Sequence, residues 1–210
     1  MKAKKIMVTV LAAAALVTGS VFGTMAYLTS NDSVTNTFTV GKVVMSMDEA
    51  DVDEYGKVIV DDNEEPVARV HDNEYRLIPG HTYVKDPTIY IEADSEDCWV
   101  FAKVENQIAA IEADTKVAAQ IEALEWKELG EGTGVYYKEH EKSDAKKEYK
   151  VFDNFTILGS VDNVTLNGDK TDADTTNDDG YVGKTIVVTG YAVQKDGLTV
   201  EQAWTAVSQG

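Results

Sequence analysis

One run, Lys184-Thr185-Ile186-Val187-Val188-Thr189-Gly190-Tyr191-Ala192-Val193, is typical of a β-strand along its whole length. β-Branched and aromatic side chains dominate it, and such side chains pack well on the pleated surface of a sheet. A second run, Cys98 to Val104, carries apolar residues on both parities apart from Lys103. Because successive strand residues point to opposite faces, this run predicts a central strand buried on both sides.

Shorter strand signals lie on either side of these two runs. They cover residues 34–47 with a break at Gly41, 57–60, 67–70, 84–93, 135–137, 149–152 and 155–158. Pro87 places the 84–93 strand at a sheet edge or a bulge, because proline cannot donate a ladder hydrogen bond. Turn-forming and charged residues predict an acidic turn at 48–53, a hairpin loop at 61–66, a turn at 77–80 and a charged loop at 138–148.

Two stretches change to helical spacing. Residues 114–128 predict an amphipathic middle helix, with Asp114 as its N-cap and glycines at 130, 132 and 134 beyond its end. Thr199 with Gln202 three residues later is a capping box, which predicts a short C-terminal helix. Many short strands and two helices predict a mainly β domain, a jelly roll or β-sandwich.

The first 26 residues have the three parts of a secretory signal peptide. A region with three lysines precedes the apolar run Ile6 to Val17, and small side chains at Thr24 and Ala26 suit cleavage before Tyr27. The alternative is an uncleaved membrane anchor. However, Thr18-Gly19-Ser20 interrupts the run, and a spanning helix needs about 20 predominantly apolar residues. We therefore expect a protein secreted to the extracellular matrix or the cell surface.

The chain is strongly acidic, with a formal net charge of −18 that becomes −21 once the three lysines of the signal peptide are removed. Such a surface repels nucleic acid, so no nucleic-acid partner is expected. Cys98 is the single cysteine, so no internal disulfide can form and stability must come from packing. Its apolar surroundings in the sequence predict a buried side chain and not a reactive thiol.

No motif in the sequence points to an enzyme. His71, His81 and His140 lack the spacing of a zinc protease, and no Gly-x-Ser-x-Gly elbow is present. The acidic stretch from Asp169 to Asp179 is the one candidate metal site, since carboxylate oxygens suit calcium. Its ligands would come from Asp169, Asp172, Asp174 and Asp178. The spacing is not that of an EF-hand, and a disordered acidic loop is the alternative.

Two blocks of sequence resemble a known family. The first is Gly23-Thr24-Met25-Ala26-Tyr27-Leu28-Thr29 followed by Asn36-Thr37-Phe38-Thr39-Val40-Gly41; looser matches include Pro79-Gly80, residues 95–100 and Tyr191-Ala192-Val193-Gln194. The chain in this respect is similar to the TasA/camelysin family of Gram-positive bacteria, whose signal peptides are cut by the dedicated signal peptidase SipW. The resemblance implies a jelly-roll protein that assembles into biofilm matrix fibres, each subunit's N-terminal segment completing the sheet of the next.

The sequence therefore predicts three parts: a signal peptide at 1–26, a possible donor strand at 27–40 and a jelly-roll domain at 41–210. A donated strand gains main-chain hydrogen bonds while alternate side chains fill pockets, and Val34, Phe38 and Val40 would be those side chains. The alternative is that this segment is the first strand of its own sheet. Beside a non-enzymatic fibre subunit with an accessory anchoring protein, a camelysin-like metalloendopeptidase and a monomeric surface binding module remain alternative functions.

Overall fold

The computed structural model describes residues 42–113, 115–167, 180–181 and 183–208. Strands predominate in this part of the chain. They are β1 (Met45–Ala50), β2 (Arg69–Val70), β3 (Thr82–Val84), β4 (Thr88–Ile91), β5 (Cys98–Asn106), β6 (Lys127–Glu128), β7 (Val135–His140), β8 (Lys147–Lys150), β9 (Asn154–Thr156) and β10 (Ile186–Gln194). The helices are α1 (Val117–Ala123), α2 (Asn163–Asn167) and α3 (Val200–Ser208), with a 3₁₀ turn at Ala109–Ile111.

The strands form two antiparallel four-stranded sheets and one small pair. The first sheet has the order β2-β1-β4-β8 and the second the order β10-β5-β7-β6, while β3 pairs with β9. β10 lies alongside β5 over its full length, from Ile186 opposite Asn106 to Gln194 opposite Cys98. The prediction that residues 98–104 form a central strand is confirmed, because β7 pairs with its other edge.

The two sheets enclose one apolar core. Ile89 and Ile91 of the first sheet and Val100 and Ala102 of the second are fully buried within it. Gly190 of β10 faces the first sheet so closely that a Cβ atom there would lie 3.1 Å from Ile89 and 3.2 Å from the Met47 sulfur. The absence of a side chain at this position thus lets β10 pack against the opposite sheet.

The terminal helix α3 covers the outer face of the second sheet. Its capping box is formed as predicted: the Gln202 backbone N–H donates to the Thr199 hydroxyl and the Thr199 N–H donates to the Gln202 side chain. Ala203 is fully buried, and the Trp204 ring lies 5.4 Å from that of Phe101. This second cluster explains why β5 is apolar on both parities.

Four local predictions are wrong. Asp48 to Ala50 belong to β1, so no acidic turn forms there, and Glu49 is buried. Pro87 precedes a central strand instead of an edge, because its missing N–H lies outside the β4 ladder, which begins at Thr88. The middle helix begins at Val117, with Lys116 and not Asp114 at its N-cap, and it ends at Ala123, since the burial of Trp126 redirects the chain into β6. The charged loop predicted at 138–148 is shorter, because β7 reaches His140 and β8 starts at Lys147.

The turn predicted at 61–66 forms and repeats the turn before it, but the strands predicted on either side of it do not form in full. Residues 57–60 make only isolated bridges, Val58 with Val52 and Val60 with Pro66, and β2 pairs with β1. Asp53 accepts hydrogen bonds from the N–H groups of Tyr55 and Lys57, and Asp61 accepts them from Asn63 and Glu65. The turn predicted at residues 77–80 also forms, with the His81 N–H donating to the Ile78 carbonyl. In the described residues, no helix has the length and apolar character needed to cross a membrane.

Candidate functional site

The sheet edges of this domain differ in how they are protected. β8, an edge of the first sheet, exposes Lys147, Glu148 and Lys150, and β6, an edge of the second, has two exposed charged residues. Charged side chains on an edge strand discourage pairing with other chains. The opposite edge of the second sheet is β10, nine residues long and without a charged residue. No other described strand pairs with this free edge.

A part of β1 that pairs with only one other described strand lies across from β10. Met45 to Asp48 pair with β4 on one side, whereas β2 covers the other side only at Glu49 and Ala50. Met47 lies close to Gly190, so the two incompletely paired strands are neighbours on the same side of the two packed sheets. Their N–H and C=O groups that no described strand pairs are what an added strand would need.

A groove of about 1110 Å³ lies between these two strands. Three consecutive residues of β10, from Ile186 to Val188, and three of β1, from Met47 to Glu49, line it. Since successive strand residues point to opposite faces, this lining shows that the groove follows the strand edges. A lining that runs along two strands suits an added segment of polypeptide.

Part of the groove lining is apolar, beside a comparable polar part. The apolar side chains come from separate parts of the chain: Leu77, Ile108, Phe155, Leu166 and Val188. These residues belong to the core or pack against it. At the rim, Ile78 and Val187 are 37 % and 43 % exposed, respectively. The groove thus offers apolar contacts beside main-chain groups that no described strand pairs.

One end of the groove is polar. The Lys85 ammonium lies 2.6 Å from the Glu49 carboxylate, and Asn73 donates to the other oxygen of the same carboxylate at 2.8 Å. Tyr75 lies beside them and donates to the Val84 carbonyl. Burial raises the pKa of the Tyr75 hydroxyl, and the charges of Glu49 and Asp86 raise it further.

A second buried polar group lies between β7 and β8, away from the groove lining. His140 is 1 % exposed, and its Nδ1 lies 2.8 Å from the Tyr149 hydroxyl. Its Nε2 has no hydrogen-bond partner in the described structure. Burial lowers the pKa of His140, Asp97 opposes this effect and Lys147 adds to it. Cys98 is buried opposite His140 as predicted, and burial raises the pKa of its thiol to about 12.

Most residues that the sequence singled out lie outside the described part of the chain. These are the cleavage junction at Thr24, Ala26 and Tyr27, the donor side chains Val34, Phe38 and Val40, the candidate calcium ligands Asp169, Asp172, Asp174 and Asp178, and the helix cap Asp114. Within the described ranges, no group of three or more His, Cys, Asp and Glu side chains is arranged to hold a metal ion. Of the three histidines weighed as zinc ligands, His81 has its Nε2 atom 2.8 Å from the Tyr55 carbonyl oxygen.

Sequence reasoning missed the groove, although one signal for it was present. The β10 run contains no charge, whereas the β8 run has three charged residues in four. Comparing the charge on candidate edge strands would have distinguished a protected edge from an unprotected one. No family model, curated protein or solved structure matches the chain.

Proposed function

We propose that this protein is a secreted, jelly-roll structural subunit that assembles into extracellular matrix fibres by strand exchange. The donor is the N-terminal segment of residues 27–40, and the acceptor is the groove between β1 and β10 of a second copy. The observation that supports the acceptor is the contrast between the uncharged β10 edge, beside a groove with apolar side chains, and the charged β6 and β8 edges.

The donor assignment comes from the resemblance to the TasA/camelysin family and from the pattern of residues 34–40. Full burial of Val34, Phe38 and Val40 would contribute about 1.5–3 kcal/mol for each side chain, or about 4.5–9 kcal/mol in total. Main-chain hydrogen bonds to the β10 edge would fix the register of the donated strand against β10. Association costs several kcal/mol or more, so loss of one apolar contact should weaken assembly markedly.

The proposal implies particular partners and excludes a catalytic role. A SipW-type signal peptidase would cleave before residue 27 and so free the donor segment. An accessory protein would anchor the fibre. Because subunits carry a charge near −21, added salt should promote assembly by screening their repulsion. A casein assay with and without a chelator tests the camelysin-like alternative.

The acceptor is tested by placing a charge on the β10 edge. Val187→Lys alters an exposed side chain of the groove, so the fold should remain intact while filaments are lost. Val60→Lys is the matched control, because Val60 is also 43 % exposed and lies outside the groove lining. Electron microscopy of the mature proteins gives the result. Equal filament formation by Val187→Lys and Val60→Lys would refute the acceptor assignment.

Mixing two defective variants tests the head-to-tail arrangement. Phe38→Asp should lose its donor but keep its acceptor, whereas Val187→Lys should lose its acceptor but keep its donor. Together they should form a 1:1 dimer that cannot grow, because neither end of the dimer can add another subunit. Size-exclusion chromatography with light scattering should detect this dimer. Filaments in the mixture, or monomers alone, would contradict strand exchange.

A further inference from the structure

Three side chains from separate segments meet at the polar end of the groove. Glu49 lies in β1, Asn73 follows β2 and Lys85 lies between β3 and β4. One carboxylate oxygen of Glu49 lies 2.6 Å from the Lys85 amine nitrogen, and the other accepts from the Asn73 amide at 2.8 Å. An amine nucleophile and a carboxamide are therefore held by the two oxygens of one carboxylate.

The backbone determines the orientation of the Asn73 amide. Its nitrogen also donates to the Ala50 carbonyl at 2.9 Å, and its oxygen accepts from the Val52 N–H at 3.1 Å. Reversing the amide would place donor against donor and acceptor against acceptor. The Val52 N–H thus lies where it can stabilise negative charge on the amide oxygen during attack on the carbon.

The Lys85–Glu49 pair is largely withdrawn from solvent. Their side chains are 11 % and 6 % exposed, respectively, and the Tyr75 ring lies 5.9 Å from the Lys85 nitrogen. Burial penalises an ion pair more than the corresponding neutral amine and carboxylic acid. A desolvated lysine amine is an effective nucleophile, and a carboxylic acid beside the amide can act as proton donor.

We propose that Lys85 and Asn73 condense into an intramolecular amide cross-link, with Glu49 carrying the proton. Lys85 passes a proton to Glu49, and its free amine attacks the Asn73 carboxamide carbon. The Glu49 acid then protonates the amide nitrogen, and the carbon–nitrogen bond to that nitrogen breaks to release ammonia. The ammonia takes the extra proton from the attacking lysine nitrogen and leaves as ammonium, so an amide bond remains between the two side chains. Overall, a lysine ammonium and a carboxamide give a secondary amide and an ammonium ion, and Glu49 is again a carboxylate.

This bond would serve as a covalent staple in a chain that has a single cysteine. It would close a loop from residue 73 to residue 85, which includes the groove-lining segment from Tyr75 to Pro79. Cross-linking a loop reduces the conformational freedom of the unfolded chain and stabilises the folded state. The inference rests on these side chains alone and does not depend on fibre assembly.

Intact-mass spectrometry of the full mature protein tests the bond directly. The wild-type protein should be lighter than its sequence by about 17 Da, the mass of ammonia. Trypsin cannot cut at an amidated lysine, so the digest should contain peptide 70–76 joined to an uncut peptide 77–103. A folded wild-type protein of unmodified mass after prolonged incubation would overturn the proposal.

Variants separate the cross-link from cyclisation of Asn73 to a succinimide, which also releases ammonia. Lys85→Arg and Glu49→Gln should have their full sequence masses, whereas Lys150→Arg, at an exposed ion pair with Asp153, should keep the loss. Retention of the loss in Lys85→Arg would identify a succinimide and overturn the cross-link. If Lys85→Arg does not fold, the joined wild-type peptide still decides the question, because a succinimide leaves peptides 70–76 and 77–85 separate.

Discussion

Acidification should destabilise this domain through His140. The ring is 1 % exposed and its Nε2 has no described partner, so a positive charge there would be poorly compensated. Burial lowers the pKa of His140 in the folded state below its ordinary value of about 6.5. The unfolded chain therefore takes up the proton first as pH falls. The stabilising effect of neutral His140 is complete above about pH 6.5 and is lost below it.

The size of the effect has an upper bound. One extra proton on the unfolded state lowers the free energy of unfolding by at most about 1.4 kcal/mol per pH unit. Between about pH 6.5 and pH 5, the loss is therefore at most about 2 kcal/mol. For a domain of this size, 1 kcal/mol corresponds to roughly 2–4 °C, so Tm should fall by at most about 4–8 °C through His140.

Thermal unfolding followed by circular dichroism at several pH values measures this effect. The matched control replaces both partners, His140→Leu with Tyr149→Phe, because apolar groups of similar shape leave no unpaired polar atom behind. The charged neighbours Asp97 and Lys147 are shared by both proteins, so the difference in slope reports His140. Identical pH dependence in the two proteins would refute the argument.

Three further predictions concern local features. Glu64 has a φ of 65° in an exposed turn, so Glu64→Gly should relieve backbone strain and raise the free energy of unfolding by up to about 1 kcal/mol. Chemical denaturation measures the change, and a less stable variant would show that Glu64 is not strained. Thr199→Ala should lower it by about 1 kcal/mol through loss of the Gln202 capping box, whereas an unchanged denaturation midpoint would show that the box is dispensable. Cys98 should resist iodoacetamide at pH 8 until the protein unfolds, since burial raises the pKa of its thiol to about 12. Rapid labelling of the native protein, detected by mass spectrometry, would contradict this prediction.

Local patterns predicted those elements whose stability depends on neighbouring residues. The Thr199 capping box and the acidic turn at Asp61 form because their hydrogen bonds span only a few residues. The middle helix was predicted too long, because periodicity cannot register the free energy gained when Trp126 enters the core. Pro87 was placed at an edge because the sequence does not show where a ladder begins.

The candidate site depended on strand order, which local patterns do not encode. Residues 186–194 were predicted as a strand, but their position at a free edge follows from which distant strands pair. Similarly, Glu49 was expected in a turn, and nothing in the sequence placed it between Asn73 and Lys85.

The amino-acid sequence alone determined the mainly β character, the central strand at Cys98–Val104, the capped terminal helix and the buried lone cysteine. Each follows from residue type and spacing, which act over a few residues. Tertiary structure alone decided that β10 is an uncharged edge beside a groove, that His140 is buried, and that Glu49 holds both Lys85 and Asn73. These features need residues far apart in the chain to meet, and the packing of two whole sheets decides which of them do.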